Sequence, residues 1–287
     1  MDEVRRIISA WDGVPIAVTE WKSGVEWGSG GGDKLAPLLC LPGLVRTGGD
    51  FSAFAAEFGA GRRVVSLDYV GRGASGRVRD IQRYAGEACL RDVLDVCAAL
   101  HLHGVIAVGT SFGGLLAMGI AAARPNLLAG AVLNDIGPDI DPSGTAFIRG
   151  FVATDPALPD LAACVAYLRD RLPDLSIPDM AGWRLFAALT YAPGPDGRFH
   201  PLWDTRIARL LDGATSDLWR LFGALAAIPT LLIHGGRSSV LLGATVARMR
   251  EFRPDMEVLR LAEVGHAPTL AEPEIAAGLR QFLAQTG

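Results

Sequence analysis

The chain has 287 residues, 50% of them hydrophobic and 20% charged, enough for one large α/β domain with a well-buried core. A net charge of −4 and a pI near 5.7 argue against nucleic acid or an anionic membrane surface as the main partner. Met1-Asp2-Glu3-Val4-Arg5-Arg6 lacks the apolar stretch of a signal peptide, and Cys40, Cys89, Cys97 and Cys164 form no C-x-x-C pair. Buried free thiols in a reducing cytosol are therefore expected, without disulfides or a metal site.

In chain order, Val14 to Glu20 alternates in the manner of an antiparallel edge strand. Gly28 to Gly32 is a glycine-rich loop with no G-K-[ST] after it, which argues against a phosphate cradle. Pro37 to Leu41 reads as a short apolar strand, and Asp50 to Phe58 as a helix with Asp50 as its cap. Arg62 to Leu67 is the next strand. Tyr84 to Leu100 is an amphipathic helix with Cys89, Val93, Val96, Cys97 and Leu100 on one face. Val105 to Val108 and Leu127 to Leu133 are further strands, with a helix from Leu115 to Ala123 between them.

From about Pro138 to Ala227 the strand–helix rhythm stops. This stretch is helical and aromatic, with Phe147, Phe151, Trp183, Phe186, Trp203 and Trp219 among its rings. The rhythm resumes with a strand at Pro229 to His234, a helix at Leu241 to Phe252, a strand at Met256 to Leu261 and a helix at Pro273 to Ala284. Strands alternating with helices imply an α/β fold: a mostly parallel sheet with helices on both faces. Residues 1–137 and 228–287 are then the core domain, and 138–227 is an inserted helical cap or lid over the sheet's C-terminal edge, where ligands bind in such sheets. Residues 104–123 carry no charge and are long enough for a membrane span. The glycines at 109, 113 and 114 and the β-branched first half favour a strand, a turn and a buried helix instead.

Gly109-Thr110-Ser111-Phe112-Gly113, between that strand and that helix, fits G-x-S-x-G. A sharp strand-to-helix turn exposes the serine hydroxyl above the sheet. The positions two before and two after the serine crowd each other, so glycine is needed at Gly109 and Gly113. The helix N-terminus faces the place where negative charge would develop. Three further motifs follow the same order: Leu41-Pro42-Gly43-Leu44 after an apolar strand, Asp68-Tyr69-Val70-Gly71-Arg72-Gly73-Ala74-Ser75 after the next, and Val264-Gly265-His266-Ala267-Pro268 after the last.

With these motifs the chain resembles the α/β-hydrolase family over nearly its whole length. The resemblance implies Ser111 as nucleophile, His266 as base, and the backbone N–H groups of Leu44 and Phe112 as oxyanion hole. It gives the Asp68 turn a structural role. A near-neutral histidine suits both proton transfers. Of the other histidines, His101 and His103 flank a helix end, His200 lies in the lid, and His234 ends a strand.

The chain departs from the family pattern at the acid. Where relatives carry a carboxylate, a few residues beyond His234, the sequence reads Gly235-Gly236-Arg237-Ser238-Ser239. Asp135, at the end of the strand after the elbow helix, is the best relocated candidate, and some relatives carry their acid there. Asp139 lies further along the same loop, and Glu263 is too close to His266 in sequence to reach its far ring nitrogen. Ser238 or Ser239 is the neutral alternative as orienter of His266.

The expected activity is hydrolysis of a small, apolar carboxylic ester or lactone through an acyl-enzyme, with no metal or organic cofactor. Serine at the elbow argues against the haloalkane dehalogenases and epoxide hydrolases, which use aspartate there. A carbon–carbon bond hydrolase or enol-lactonase would use the same serine and histidine, with Arg46, Arg149 or Arg184 anchoring a substrate carboxylate. A non-catalytic ligand-binding homologue is the rival from another class.

Overall fold

The computed structural model describes residues 2–22, 35–211 and 217–287; Gly28–Gly32 lies outside them. The strands are β1 (Asp2–Ser9), β2 (Pro15–Lys22), β3 (Leu38–Leu41), β4 (Arg63–Leu67), β5 (Val105–Thr110), β6 (Leu128–Asn134), β7 (Tyr191–Pro193), β8 (Phe199–Pro201), β9 (Thr230–Gly235) and β10 (Glu257–Leu261). Eight of them form one sheet in the order β1-β2-β4-β3-β5-β6-β9-β10. Pairing is antiparallel at β1–β2 and β2–β4 and parallel from β4 to β10.

Strands β3, β5, β6 and β9 contain no Asp, Glu, Lys or Arg. Strands of that kind suit a parallel sheet covered on both faces. Successive residues feed opposite cores. Leu39, Leu41, Ala107 and Leu133 face one core together with helices α2 (Gly86–Ala99), α3 (Phe112–Ala123) and α8 (Gly243–Phe252). Leu38, Cys40, Ile106 and Val132 face the other, covered by α1 (Ser52–Phe58) and α9 (Pro273–Thr286). The uncharged run through β5 and α3 is thus spent on a central strand and a helix pressed on the sheet. No described helix is long and apolar enough to cross a membrane.

Two local expectations need correction. The strand expected at the sheet's edge is β2, which lies one place inside it. Strand β1, mostly exposed and without regular alternation, takes the edge. Glu20 on β2 is fully buried because Arg6 and Arg63 reach it at 2.5 and 2.7 Å. Asp50 caps no helix. A 3-10 turn at Gly48–Phe51 leads into α1, and the Asp50 carboxylate is gripped by Arg46 instead. All four cysteines are buried and free.

Between β6 and β9 run α4 (Pro142–Ala153), α5 (Leu161–Arg171), α6 (Met180–Ala188), the β7–β8 hairpin and α7 (Leu218–Gly223). Asp141, Asp160, Asp179 and Asp217 cap the four helices, each accepting a first-turn backbone N–H. Their rings pack largely on one another: Trp203 is stacked with Phe151 and tilted against Tyr191, and its indole N–H donates to the Val152 carbonyl.

Candidate active site

Strand β5 lies mid-sheet, between β3 and β6, and ends in Ser111. This serine has φ 51° and ψ −116°, a left-handed backbone that only a tightly held turn keeps in a non-glycine residue. Its N–H donates to the Asn134 carbonyl at 2.9 Å, tying the turn to the end of β6. The two elbow glycines meet different neighbours. A Cβ on Gly109 would lie 2.4 Å from the Gly113 backbone, and one on Gly113 would lie 2.0 Å from the Leu41 carbonyl oxygen. Gly113 therefore lets the start of α3 press against the Leu41–Leu44 loop. This brings the Phe112 peptide, whose N–H has no acceptor within its own helix, next to that loop.

His266 Nε2 accepts from the Ser111 hydroxyl at 2.8 Å, and His266 Nδ1–H donates to Asp135 Oδ2 at 2.8 Å. Asp135 follows β6 directly, at φ 56°, and is fully buried. Its N–H donates to the Ile233 carbonyl at 2.8 Å, and its Oδ1 accepts the Gly235 N–H at 2.8 Å. Both carboxylate oxygens therefore have donors, as a buried charge requires.

The remaining candidates are engaged elsewhere. The Ser238 hydroxyl accepts the N–H groups of Val240 and Leu241 at 3.2 and 3.1 Å, which makes it a turn brace rather than an orienter of His266. Ser239 is exposed on the cavity wall. Asp139 accepts from the Trp219 indole and pairs with Arg248, and Glu263 pairs with Arg237. Asp68 accepts from Gly48 N–H at 2.7 Å and Ala74 N–H at 2.9 Å, in keeping with its reading as a turn scaffold; burial raises its pKa. His234 donates to the Leu241 carbonyl at 3.1 Å, while His200 sits between Asp155 and Asp196.

A cavity of about 550 Å³ opens above Ser111. Leu44, Ser111 and His266 lie on its floor side, and Phe151, Leu175 and Phe186 come from the segment between β6 and β9. That segment is fastened to the histidine loop. Gly265 N–H donates to the Asp174 carbonyl at 2.8 Å, and the Ser176 hydroxyl donates to Glu272, which also accepts the Thr269 N–H at 2.6 Å. Arg46 reaches the cavity but is forked onto Asp50 at 2.6 Å through both Nε and Nη2, with its guanidinium 4.0 Å over the Phe186 ring. Arg149 and Arg184 are not among the lining residues.

Motif reading passed over Asn134, whose side-chain amide donates to the Pro268 carbonyl at 2.8 Å and to Thr110 Oγ1 at 3.1 Å. It fastens the histidine loop to the end of β5. The available signal was a polar residue closing an otherwise apolar strand, directly before Asp135.

The fold is shared with known proteins. A model described as the alpha/beta hydrolase family matches residues 38–278. The chain is 31% identical over 268 residues to the 3-hydroxybutyrate-oligomer hydrolase of Cupriavidus necator, covering 90% of each protein. It is 25% identical over 240 residues to the 2-(acetamidomethylene)succinate hydrolase of Mesorhizobium japonicum, covering 83% of this chain and 84% of that one. Among solved structures, an alpha/beta hydrolase from Novosphingobium aromaticivorans superposes with a TM-score of 0.89 at 33% identity, over 99% of this chain and 98% of the other. The chain belongs to the α/β-hydrolase family.

Proposed function

We propose that this protein is a serine hydrolase of small carboxylic esters. The observation that carries the reading is the unbroken relay from Ser111 Oγ through the His266 ring to Asp135 Oδ2, at 2.8 Å for each contact. With Nδ1 protonated toward Asp135, His266 Nε2 is free to take the Ser111 proton as Oγ attacks the ester carbonyl carbon. The Leu44 and Phe112 N–H groups receive the tetrahedral oxyanion, each contributing about 3 kcal/mol. Collapse breaks the ester C–O bond, and His266 returns the proton to the departing alkoxide. Water then gives a proton to His266, attacks the acyl-enzyme, and releases the acid as Ser111 regains its proton. Residues 138–227 act as the cap, covering the acyl group.

The largely apolar cavity favours neutral substrates. The similarity to a 3-hydroxybutyrate-oligomer hydrolase makes short hydroxyalkanoate ester oligomers the first class to assay. A carboxylated substrate, as the carbon–carbon hydrolase and enol-lactonase readings require, needs an uncommitted cation: Arg46 is paired with Asp50 and Arg237 with Glu263, which leaves Arg171, 3.9 Å from Asp170, as the lining cation for that rival reading. Intact mass after exposure to a small fluorophosphonate tests the reading. One adduct on the parent, none on Ser111→Ala, together with turnover of aryl butyrate and of the 3-hydroxybutyrate dimer, supports it. A parent that stays unlabelled and inert toward both esters refutes it and favours a binding protein.

A further inference from the structure

The D-x-x-G-x-G-x-S turn carries a residue that scaffolding alone does not explain. Arg72 is fully buried. Its Nε donates to the Leu44 carbonyl at 2.8 Å and its Nη1 to the Val70 carbonyl at 2.8 Å. Nη2 has no partner. The guanidinium carbon lies 5.8 Å from the Phe112 ring centre and 5.6 Å from that of Tyr69. Tyr69 in turn donates its hydroxyl to the Pro42 carbonyl, in the same loop as Leu44, at 3.1 Å.

Among the described residues no carboxylate pairs with Arg72. Its titratable neighbours are Cys89, whose sulfur is 3.9 Å from Nη1, and Tyr69. Burial pushes the pKa of both upward, so they stay neutral and do not balance the cation. An unpaired charge held away from water is costly. A methionine would avoid that cost, but it would take the donors away from the Leu44 and Val70 carbonyls.

The position of the charge supplies a reason. One side chain meets both residues whose N–H groups form the oxyanion site on the serine-hydrolase reading. It anchors the Leu44 carbonyl, in the peptide next to the one that carries the Leu44 N–H, and it lies beside the Phe112 ring. Poor solvation lets its field reach the place where negative charge builds up. Gly71 and Gly73, with φ of 84° and 51°, flank Arg72 in the turn. The Gly73 N–H donates to the Leu202 carbonyl at 2.7 Å, and the Arg72 backbone bridges to Trp203. The turn is therefore also held by the segment that carries Leu202 and Trp203.

We propose that Arg72 is a positioning residue for the oxyanion site: it holds Leu44 in place through its carbonyl and lends uncompensated positive charge to the transition state. The proposal rests on the serine-hydrolase reading above, and its test separates the two.

Arg72→Met, Arg72→Gln and Arg72→Lys are compared with the parent on an aryl butyrate. The affinity of an alkylboronic acid, which forms a tetrahedral anion on the serine, is measured alongside. Thermal unfolding establishes that each variant is folded. Arg72→Met is expected to lower kcat about 10- to 100-fold with KM within about 2-fold, and to weaken the boronate by the same factor. Arg72→Lys, which keeps the charge, should recover part of both losses, and Arg72→Gln less. If Arg72→Met does not fold, the Lys and Gln variants decide the matter. Folded variants with unchanged kcat and boronate affinity, or with losses in KM alone, reduce Arg72 to a structural residue and leave the serine-hydrolase reading intact. A parent inert toward ester and boronate overturns both.

Discussion

Asp135 and His266 are 131 positions apart in the chain, yet the carboxylate of one accepts the ring N–H of the other at 2.8 Å. The end of β6 and the loop after β10 bring them together, with Asn134 donating to the Pro268 carbonyl as a second tie beside the first. Because the Asp135 carboxylate is fully buried and its other oxygen is committed to Gly235 N–H, it has little freedom to move away.

Asp135→Asn keeps this shape and removes the charge. An amide that donates to Nδ1 would leave Nε2 protonated and unable to take the serine proton. On the proposed mechanism kcat for an aryl ester should fall about 10³- to 10⁴-fold with KM nearly unchanged. Steady-state kinetics and the rate of fluorophosphonate labelling are the measurements. A loss below about 10-fold would mean that Asp135 does not support the histidine.

The elbow makes a stability prediction. A Cβ on Gly113 would collide with backbone, the Leu41 carbonyl at 2.0 Å, and backbone cannot rotate aside as a side chain can. Gly113→Ala should therefore destabilise the fold by about 3 kcal/mol or more. Gly150, within α4, has nothing within 4 Å of its added Cβ. Gly150→Ala should stabilise by about 0.5–1 kcal/mol through helix propensity. Urea midpoints of the two variants test the contrast, and equal midpoints would contradict the steric argument.

Local chemistry made the sheet legible. β3, β5, β6 and β9 are short apolar runs separated by turn residues, and G-x-S-x-G marks its own turn because the steric demand lies within five residues. Strand β1 was not legible: it is a mostly exposed edge whose partner, not its composition, makes it a strand. Asp50 looked like a cap from its neighbours in sequence, but Arg46 outcompetes the helix N-terminus for it. The place of Asp135 beside His266 depends on sheet order, which brings β6 next to β9. Arg72 could not be singled out from a turn motif, because its burial and its contact with Leu44 exist only once the two loops are packed.

Histidine chemistry in the β7–β8 hairpin gives a pH dependence. His200 Nδ1 faces Asp155 at 2.7 Å and Nε2 faces Asp196 at 3.0 Å. Hydrogen bonds to Asp155, then to Asp196, raise the histidine pKa above its ordinary 6.5. A raised histidine contributes stability that is fully present below 6.5 and fades as pH rises through the folded-state value. The hydrogen bond to His200 holds Asp196 below its ordinary 3.8, so that contribution fades only as pH falls through the lowered value. The melting-temperature difference between the parent and His200→Gln should therefore be greatest between pH 4 and 6.5, about the interval between the two ordinary values, and should vanish in alkaline buffer. A difference that does not change with pH would show that the clasp is not ionic.

The Arg46–Asp50 pair bears on substrate charge. The carboxylate takes Nε and Nη2, and Nη1 donates to Thr190 Oγ1 at 2.5 Å, so at Arg46 the cavity meets a neutral pair instead of a free cation. The parent should prefer an aryl butyrate over an aryl hemisuccinate of similar length. Asp50→Asn removes the neutralising charge and leaves a single amide oxygen to accept from the guanidinium, which frees Arg46 to meet an anion. The ratio of kcat/KM for hemisuccinate over butyrate should rise about 10-fold, mainly through a lower KM for the anion. If the ratio does not move, Arg46 does not reach the acyl tail. If the parent already prefers the hemisuccinate, another cation on the cavity wall, Arg171 or Arg237, anchors it, and the substrate is a carboxylated one.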